Sequence, residues 1–314
     1  MKKRIYIALA AALLAAALIA FLLIRNGGSD TVGICYRENE NSANTAYRAA
    51  LEKALTRQGY ELIVTDADED QAKQLAFIAE LADKKCDILI IEPVMSDAAE
   101  ELKCAVQSTG LPVLLCNREL DMAIWEDCPN VSYVGADLPQ AGTLQGQMVL
   151  QLPNSGDING DGIISYITIS GPENTNRGQL HSQTVDAALS AAETHKLSAV
   201  YGDWTVDSGR KLCKQELAEF GKDIEVILCG NDQIAIGAVQ AIADGGRTVG
   251  KDVYLLGMDG DPEVLELIAQ DSVTGTVARN TDAEIECIVK IVQDFLNNTP
   301  TEKEVLIPYL PVTK

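Results

Sequence analysis

The chain has 314 residues, enough for one or two globular domains with sizeable cores. Lys and Arg total 25 against 46 Asp and Glu, a net charge of −21. That balance argues against binding a nucleic-acid backbone, or docking on anionic lipid through a charged face, and solubility suffices to explain it.

The first residues stand apart. Lys2, Lys3 and Arg4 precede an apolar run from Ile5 to Ile24, closed by Arg25. A bilayer takes about 20 such residues, and the basic flank predicts that this end stays in the cytoplasm. A cleaved signal peptide is the competing reading, with Ala15-Ala16-Ala17 as its small-residue site, but apolar residues follow where a polar mature terminus should begin. The length favours one uncleaved transmembrane helix, so residues 1–30 read as anchor and linker. The rest of the chain is then expected on the extracytoplasmic face of the membrane, or secreted or periplasmic if the segment is cleaved.

From Thr31 onward, short β-branched runs alternate with helix-periodic stretches. Strands are expected at 31–36, 61–65, 86–91, 111–116 and 131–134, with helices at 44–58, 69–82 and 97–108 between them. After a helix at 139–152, strands follow at 163–169, 198–201, 225–229, 253–256 and 273–277. Helices at 179–193, 206–220, 232–243 and 262–269 separate them, and a helix at 282–297 precedes a short strand at 305–308. Such alternation predicts an α/β chain of two doubly wound parallel sheets.

Eight cysteines in an exported chain invite a disulfide reading, but their pairing is not decided by the sequence. Cys35, Cys116 and Cys229 sit inside apolar strand-like runs, where a thiol serves as a small core hydrophobe.

In open parallel sheets ligands lie beyond the carboxyl ends of the strands. The residues expected there are Arg37, Glu38 and Asn41, then Asn117-Arg118, and in the second half Gly171 to Arg177, Asp203-Trp204, Asn231-Asp232, Met258-Asp259 and Arg279-Asn280. Asn, Asp and Gly favour loops and helix caps for local reasons. A tryptophan among several paired planar hydrogen-bonders points further, to a sugar: bidentate partners for vicinal hydroxyls and an indole for the apolar face of the ring.

One loop stands out. Asp157, Asn159 and Asp161 place oxygens at the first, third and fifth positions of a calcium loop. Gly162 takes the sixth, the Ile163 carbonyl the seventh and the Ser165 hydroxyl the ninth. Position twelve is Thr168 rather than a glutamate, so the loop does not close itself.

These residues resemble the type I periplasmic sugar-binding proteins, and among them the galactose/glucose-binding subfamily. The likeness is carried by Tyr133-Val134-Gly135-Ala136-Asp137, by the calcium loop, and by the run Asn231-Asp232-Gln233-Ile234-Ala235-Ile236-Gly237-Ala238. The last of these is shared with LacI-type repressors. The resemblance implies a structural Ca2+ held by Asp157, Asn159, Asp161, Ile163 and Ser165, with Glu225 as the distant closing carboxylate. It implies sugar contacts from Asn117, Trp204, Asn231 and Asp259. Asn41, Thr175, Arg177, His181 and Arg279 fall at further ligand positions where the family carries other residues. The added arginines and fewer acids favour an acidic or modified sugar.

The resemblance also implies interleaved lobes, 31–136 with 280–305 and 137–279 with 306–314, joined by a three-segment hinge. The function it implies is that of a monomeric, membrane-tethered sugar receptor serving an ABC permease. The alternative is a sensor presenting its sugar-bound form to a membrane histidine kinase or chemoreceptor. An enzyme finds little support, because His181 and His195 form no nucleophile–base pattern. A repressor would need a helix-turn-helix where the apolar run stands, and no nucleic-acid partner is expected.

Overall fold

A computed structural model describes residues 29–38, 42–95, 98–118, 120–173 and 175–314. The expected anchor at 5–24 and Asn41 lie outside the described residues. Among the described residues, no helix is long and apolar enough to cross a membrane.

The chain forms two compact lobes. The first takes the described residues up to Val134 together with Ile285–Val305, and the second takes Gly135–Glu284 with Leu306–Lys314.

In the first lobe the strands are β1 (Thr31–Tyr36), β2 (Glu61–Asp66), β3 (Ile88–Ile91), β4 (Val113–Cys116) and β5 (Val131–Ala136). Helices α1 (Ser42–Arg57), α2 (Gln71–Asp83) and α3 (Ala99–Thr109) connect the first four, and β11 (Glu304–Ile307) completes a sheet of order β11-β5-β4-β3-β1-β2. Ile-Leu-Ile-Ile in β3 and Val-Leu-Leu-Cys in β4 are wholly buried, as parallel strands covered on both faces must be. Helix starts and stops follow local chemistry. Asp70 accepts from the amide of Lys73 to begin α2, and Gly110, at φ 68°, ends α3.

The second lobe repeats the plan. Its strands are β6 (Ile164–Ser170), β7 (Thr194–Tyr201), β8 (Val226–Cys229), β9 (Tyr254–Asp259), β10 (Gly275–Ala278) and β12 (Leu310–Val312). They lie in the order β12-β10-β9-β8-β6-β7, with β12 antiparallel to β10. Helices α4 (Leu138–Leu150), α5 (Asn176–Leu189), α6 (Val206–Phe220), α7 (Asp232–Asp244) and α8 (Pro262–Ala269) follow in chain order, and α9 (Thr281–Leu296) begins in this lobe and runs into the first.

Alternation along the strands divides the second lobe's core in two. Ile167, Ile169, Ile227, Cys229 and Leu255 pack with Cys213, Ile234, Ala238, Val264 and Ile268. Their neighbours Tyr166, Val226, Leu228, Leu256 and Met258 face the other way, toward Ala141, Val149, Val185 and Leu189.

The expected helix at 179–193 is displaced: α5 ends at Leu189 and β7 already begins at Thr194. The β-branched and aromatic content of 194–201 outweighs the helical periodicity that 190–193 continue.

Candidate functional site

The second lobe gathers its site residues at the carboxyl edge of the sheet. Thr175 caps α5, its Oγ1 accepting from the Gly178 amide and donating to the Pro172 carbonyl. Two residues on, Arg177 donates from Nη2 to Asp259 Oδ1 at 2.6 Å, and its guanidinium lies 5.2 Å from the Trp204 ring centroid. Trp204 packs against Gly171, where any Cβ would overlap the indole. Asn231 caps α7: its Oδ1 accepts from the Ile234 amide at 2.9 Å, and its Nδ2 donates to the Trp204 carbonyl at 3.3 Å. Arg177, Trp204, Asn231 and Asp259, from four separate strand-to-helix connections or their ends, thus form one chain of contacts.

Asp259 closes β9 at φ 111°, a backbone conformation that costs a residue with a side chain about 1–3 kcal/mol. The adjacent strand steadies it, since the Arg279 amide donates to the Asp259 carbonyl at 3.0 Å. Arg279 also pairs through Nη2 with Glu284 at 2.8 Å, a carboxylate that is 1% exposed.

His181 is not at this edge. Although it lies one turn beyond Arg177 on α5, it is 2% exposed, with Nδ1 at 2.7 Å from Ser170 Oγ and Nε2 at 2.8 Å from Gln145 Oε1. Gln145 Nε2 donates to the carbonyls of Cys229 and Gly257, so its Oε1 must accept. His181 therefore carries its proton on Nε2 and accepts from Ser170 on Nδ1. Burial, aided by the positive charges of Arg177 and Lys196, depresses its pKa to about 3. The network joins the ends of β6, β8 and β9 from beneath the edge and leaves His181 no capacity for a ligand. Gln145, which completes it, stands in the sequence beside Gly146 as part of the family resemblance, but nothing there assigns it this partner.

The first lobe has its own polar edge. Asn117, at φ 67° after β4, donates from Nδ2 to Glu92 Oε1 at 2.6 Å. Glu92 is 3% exposed and follows β3 directly, and burial raises its pKa against the opposing pull of Arg37. Arg37 pairs with Glu38 at 2.5 Å and with Glu69 at 2.9 Å. Arg118 donates to the Val94 carbonyl at 2.6 Å. Glu92 and Glu69 also escape the sequence reading. An acidic residue directly after a fully apolar strand is the signal that marks Glu92.

These pairings bear on the expectation of an acidic or modified sugar. Arg177, Arg279 and Arg37 all face carboxylates within their own lobe. Their charge is already balanced, which leaves hydrogen-bonding capacity rather than net positive charge.

The calcium-type loop is wound around Glu225. This carboxylate is 1% exposed; Oε1 accepts from the amides of Ile158 and Asn159 at 2.7 and 2.8 Å, and Oε2 from Ser165 at 2.9 Å. Asp157 accepts from Gly160 and Gly162, Asn159 from Asp161, and Asp161 from Ile163. Gly162 sits at φ 90°, which a residue with a side chain rarely adopts. The donor set is all oxygen and carries three carboxylates, as a hard divalent cation requires. Among the described residues no three acidic, His or Cys side chains converge into a ready-made metal cluster, and the three carboxylates are held on backbone amides instead.

A family model described as a periplasmic binding protein domain matches residues 32–300. Over 294 residues the chain is 24% identical to the D-galactose/methyl-galactoside binding periplasmic protein of Haemophilus influenzae, covering 89% of this chain and 88% of that protein. It is 23% identical over 268 residues to the ribose import binding protein of Escherichia coli, covering 85% of each. Among solved structures, an ABC transporter periplasmic solute binding protein from Actinobacillus succinogenes with bound D-allose superposes with a TM-score of 0.78 at 20% identity, over 91% of this chain and 98% of that one. A Caulobacter myo-inositol binding protein with bound myo-inositol gives a TM-score of 0.73 at 21% identity, over 92% and 94%.

Proposed function

The chain belongs to the periplasmic binding protein family, and on that premise we propose that it is an extracytoplasmic receptor for a neutral sugar or cyclic polyol, which it hands to an ABC importer. The linked set of Arg177, Trp204, Asn231 and Asp259 carries this reading. It offers an aromatic face beside donors and acceptors whose charges cancel, which suits hydroxyls on a compact apolar ring. Arg279 flanks this set in the second lobe, and Asn117 keeps the contact role that the resemblance implies for it. The proteins it resembles include receptors named for galactose and ribose and structures holding D-allose or myo-inositol, all neutral polyhydroxy rings. We further propose that residues 5–24 tether the receptor to the membrane.

The calcium-type loop is proposed as a structural Ca2+ site. Asp157, Asn159, Asp161, the Ile163 carbonyl and Glu225 would hold the ion, with Ser165 as a weaker contributor. The ion would offset three carboxylates that lack a basic partner among the described residues. Its role would be to fasten the segment before β6 to the start of β8.

A thermal-shift screen of the exported part tests both proposals. D-galactose, D-ribose, D-allose, myo-inositol and D-galacturonate are each added with and without a calcium chelator. A true ligand at a hundred times its Kd stabilises the fold by about 2.7 kcal/mol, a shift of several degrees. At least one neutral ring is expected to produce it; a shift with galacturonate alone overturns the neutral-ligand reading. Chelation is expected to lower Tm and added Ca2+ to restore it, and an unchanged Tm removes the metal site.

A further inference from the structure

The loops carrying Asn231, Asp259 and Arg279 leave three adjacent strands, β8, β9 and β10, and one side chain ties all three together. Asp232 is fully buried at the first position of α7. Its Oδ2 accepts from the amides of Gly260 and Asp261, each at 2.7 Å, in the turn between β9 and α8. Its Oδ1 accepts from Thr276 Oγ1, also at 2.7 Å, within β10. The carboxylate occupies the space that Gly257 leaves open on β9, where a Cβ would overlap Oδ1. The turn it grips is the one that bends Asp259 to φ 111°, and such a conformation persists only where its surroundings hold it.

We propose that Asp232 is a positioning residue: it fixes the Asp259–Asp261 turn against β10, and through that turn it sets ligand affinity. The second half rests on the sugar-receptor reading; the first half is a property of the free protein. Capping α7 does not explain the side chain, because Asn231 already performs that task. Charge attraction does not explain it either. The charged groups facing it are Asp259 and Asp261, both acidic, with Arg177 beyond Asp259, while β10 offers Thr276 and α7 offers Gln233, whose amide bonds to Asp261. A buried carboxylate among acids is costly, and what it provides is three simultaneous hydrogen bonds to two other elements. Burial and the charge of Asp259 lift its pKa to about 8, which gives the contact its own spectroscopic signature.

The experiment compares wild type, Asp232→Asn and Asp232→Ala by amide NMR and by titration with whichever of D-galactose, D-ribose, D-allose or myo-inositol stabilises the wild type. In wild type the Gly260 and Asp261 amide signals should shift together with a midpoint near 8; in Asp232→Asn they should stay flat. Asp232→Ala should raise exchange at both amides and weaken sugar binding, each by roughly tenfold or more, while Asn, which can still accept from the turn and donate to Thr276, restores both. An alanine variant with unchanged exchange at both amides and unchanged affinity overturns the proposal. If Asp232→Ala does not fold, Thr276→Val, which removes the bond to β10 alone, is measured in the same way, and unchanged exchange and affinity there overturn it. If no sugar binds wild type but the amides respond as stated, the receptor reading fails and the turn-fixing role stands.

Discussion

Both ring nitrogens of His181 are committed to neutral partners, and that governs how the protein responds to acid. The folded state keeps the imidazole neutral down to about pH 3, whereas the unfolded chain protonates it near its ordinary value of 6.5. Above 6.5 neither state takes up this proton, so the group leaves stability unchanged. Between 6.5 and 3 the unfolded state binds more protons, and stability is lost as pH falls, with a limiting slope of about 1.4 kcal/mol per pH unit. Urea unfolding of wild type and His181→Gln from pH 4 to 7 should show this slope in the difference between them; parallel curves would mean that the imidazole reaches solvent. The same residue shows what the sequence hides at this scale. The resemblance places both Arg177 and His181 at ligand positions, four apart on one face of α5. The helix runs inward from the sheet edge, however, and one turn carries a side chain from the edge to the core. Edge positions such as Trp204, Asn231 and Asp259 were legible because each lies at or within three residues of the carboxyl end of a strand; which partner each side chain takes was not.

At the level of elements, α6 and α7 touch through their backbones. A Cβ on Gly237 would overlap the Val206 carbonyl and come within 2.5 Å of the Arg210 amide, and one on Gly209 would overlap the Ile234 carbonyl. The glycine in the Asn-Asp-x-x-Ala-x-Gly run is therefore a packing requirement between two helices. Gly237→Ala gains up to about 1 kcal/mol of helix propensity, but it must force two backbones apart, so the net expectation is a loss of roughly 2 kcal/mol. Gly245→Ala, at the end of the same helix with no atom closer than 3.4 Å, is the matched control and should be neutral or slightly stabilising. Chemical denaturation of both variants checks the pair, and a stabilised Gly237→Ala would rule out the close approach. Most elements were readable from periodicity because parallel strands are apolar throughout and helices keep one apolar face. β12 was not, being three residues long with Pro311 at its centre; an edge strand tolerates proline, and only its antiparallel pairing with β10 identifies it.

Over the whole molecule, the two sheets follow one plan: β2-β1-β3-β4-β5 in the first lobe and β7-β6-β8-β9-β10 in the second, each finished by a late strand. The alternation of strands and helices shows the plan in the sequence, but the last strand of each sheet comes from the distant C-terminal segment, which no local pattern assigns. Burial on both sheet faces also settles the part played by the cysteines. Among the described residues none of the eight is disulfide-bonded, and Cys35, Cys86, Cys116, Cys128, Cys213 and Cys229 are buried, so these thiols serve as core packing rather than cross-links. Burial raises the pKa of Cys35 to about 11 and that of Cys213 to about 12, which leaves almost no thiolate at neutral pH. Cys104 is exposed and Cys287 half-buried. Alkylation of the native protein should therefore modify Cys104 first, Cys287 more slowly and the other six only after unfolding. With no cross-link constraining the unfolded chain, dithiothreitol should leave Tm unchanged. Had a disulfide closed a loop of this chain, its reduction would typically cost about 2–4 kcal/mol and lower Tm by several degrees. A drop of that size, or six protected thiols that fail to appear on unfolding, would show that the cysteines pair in solution.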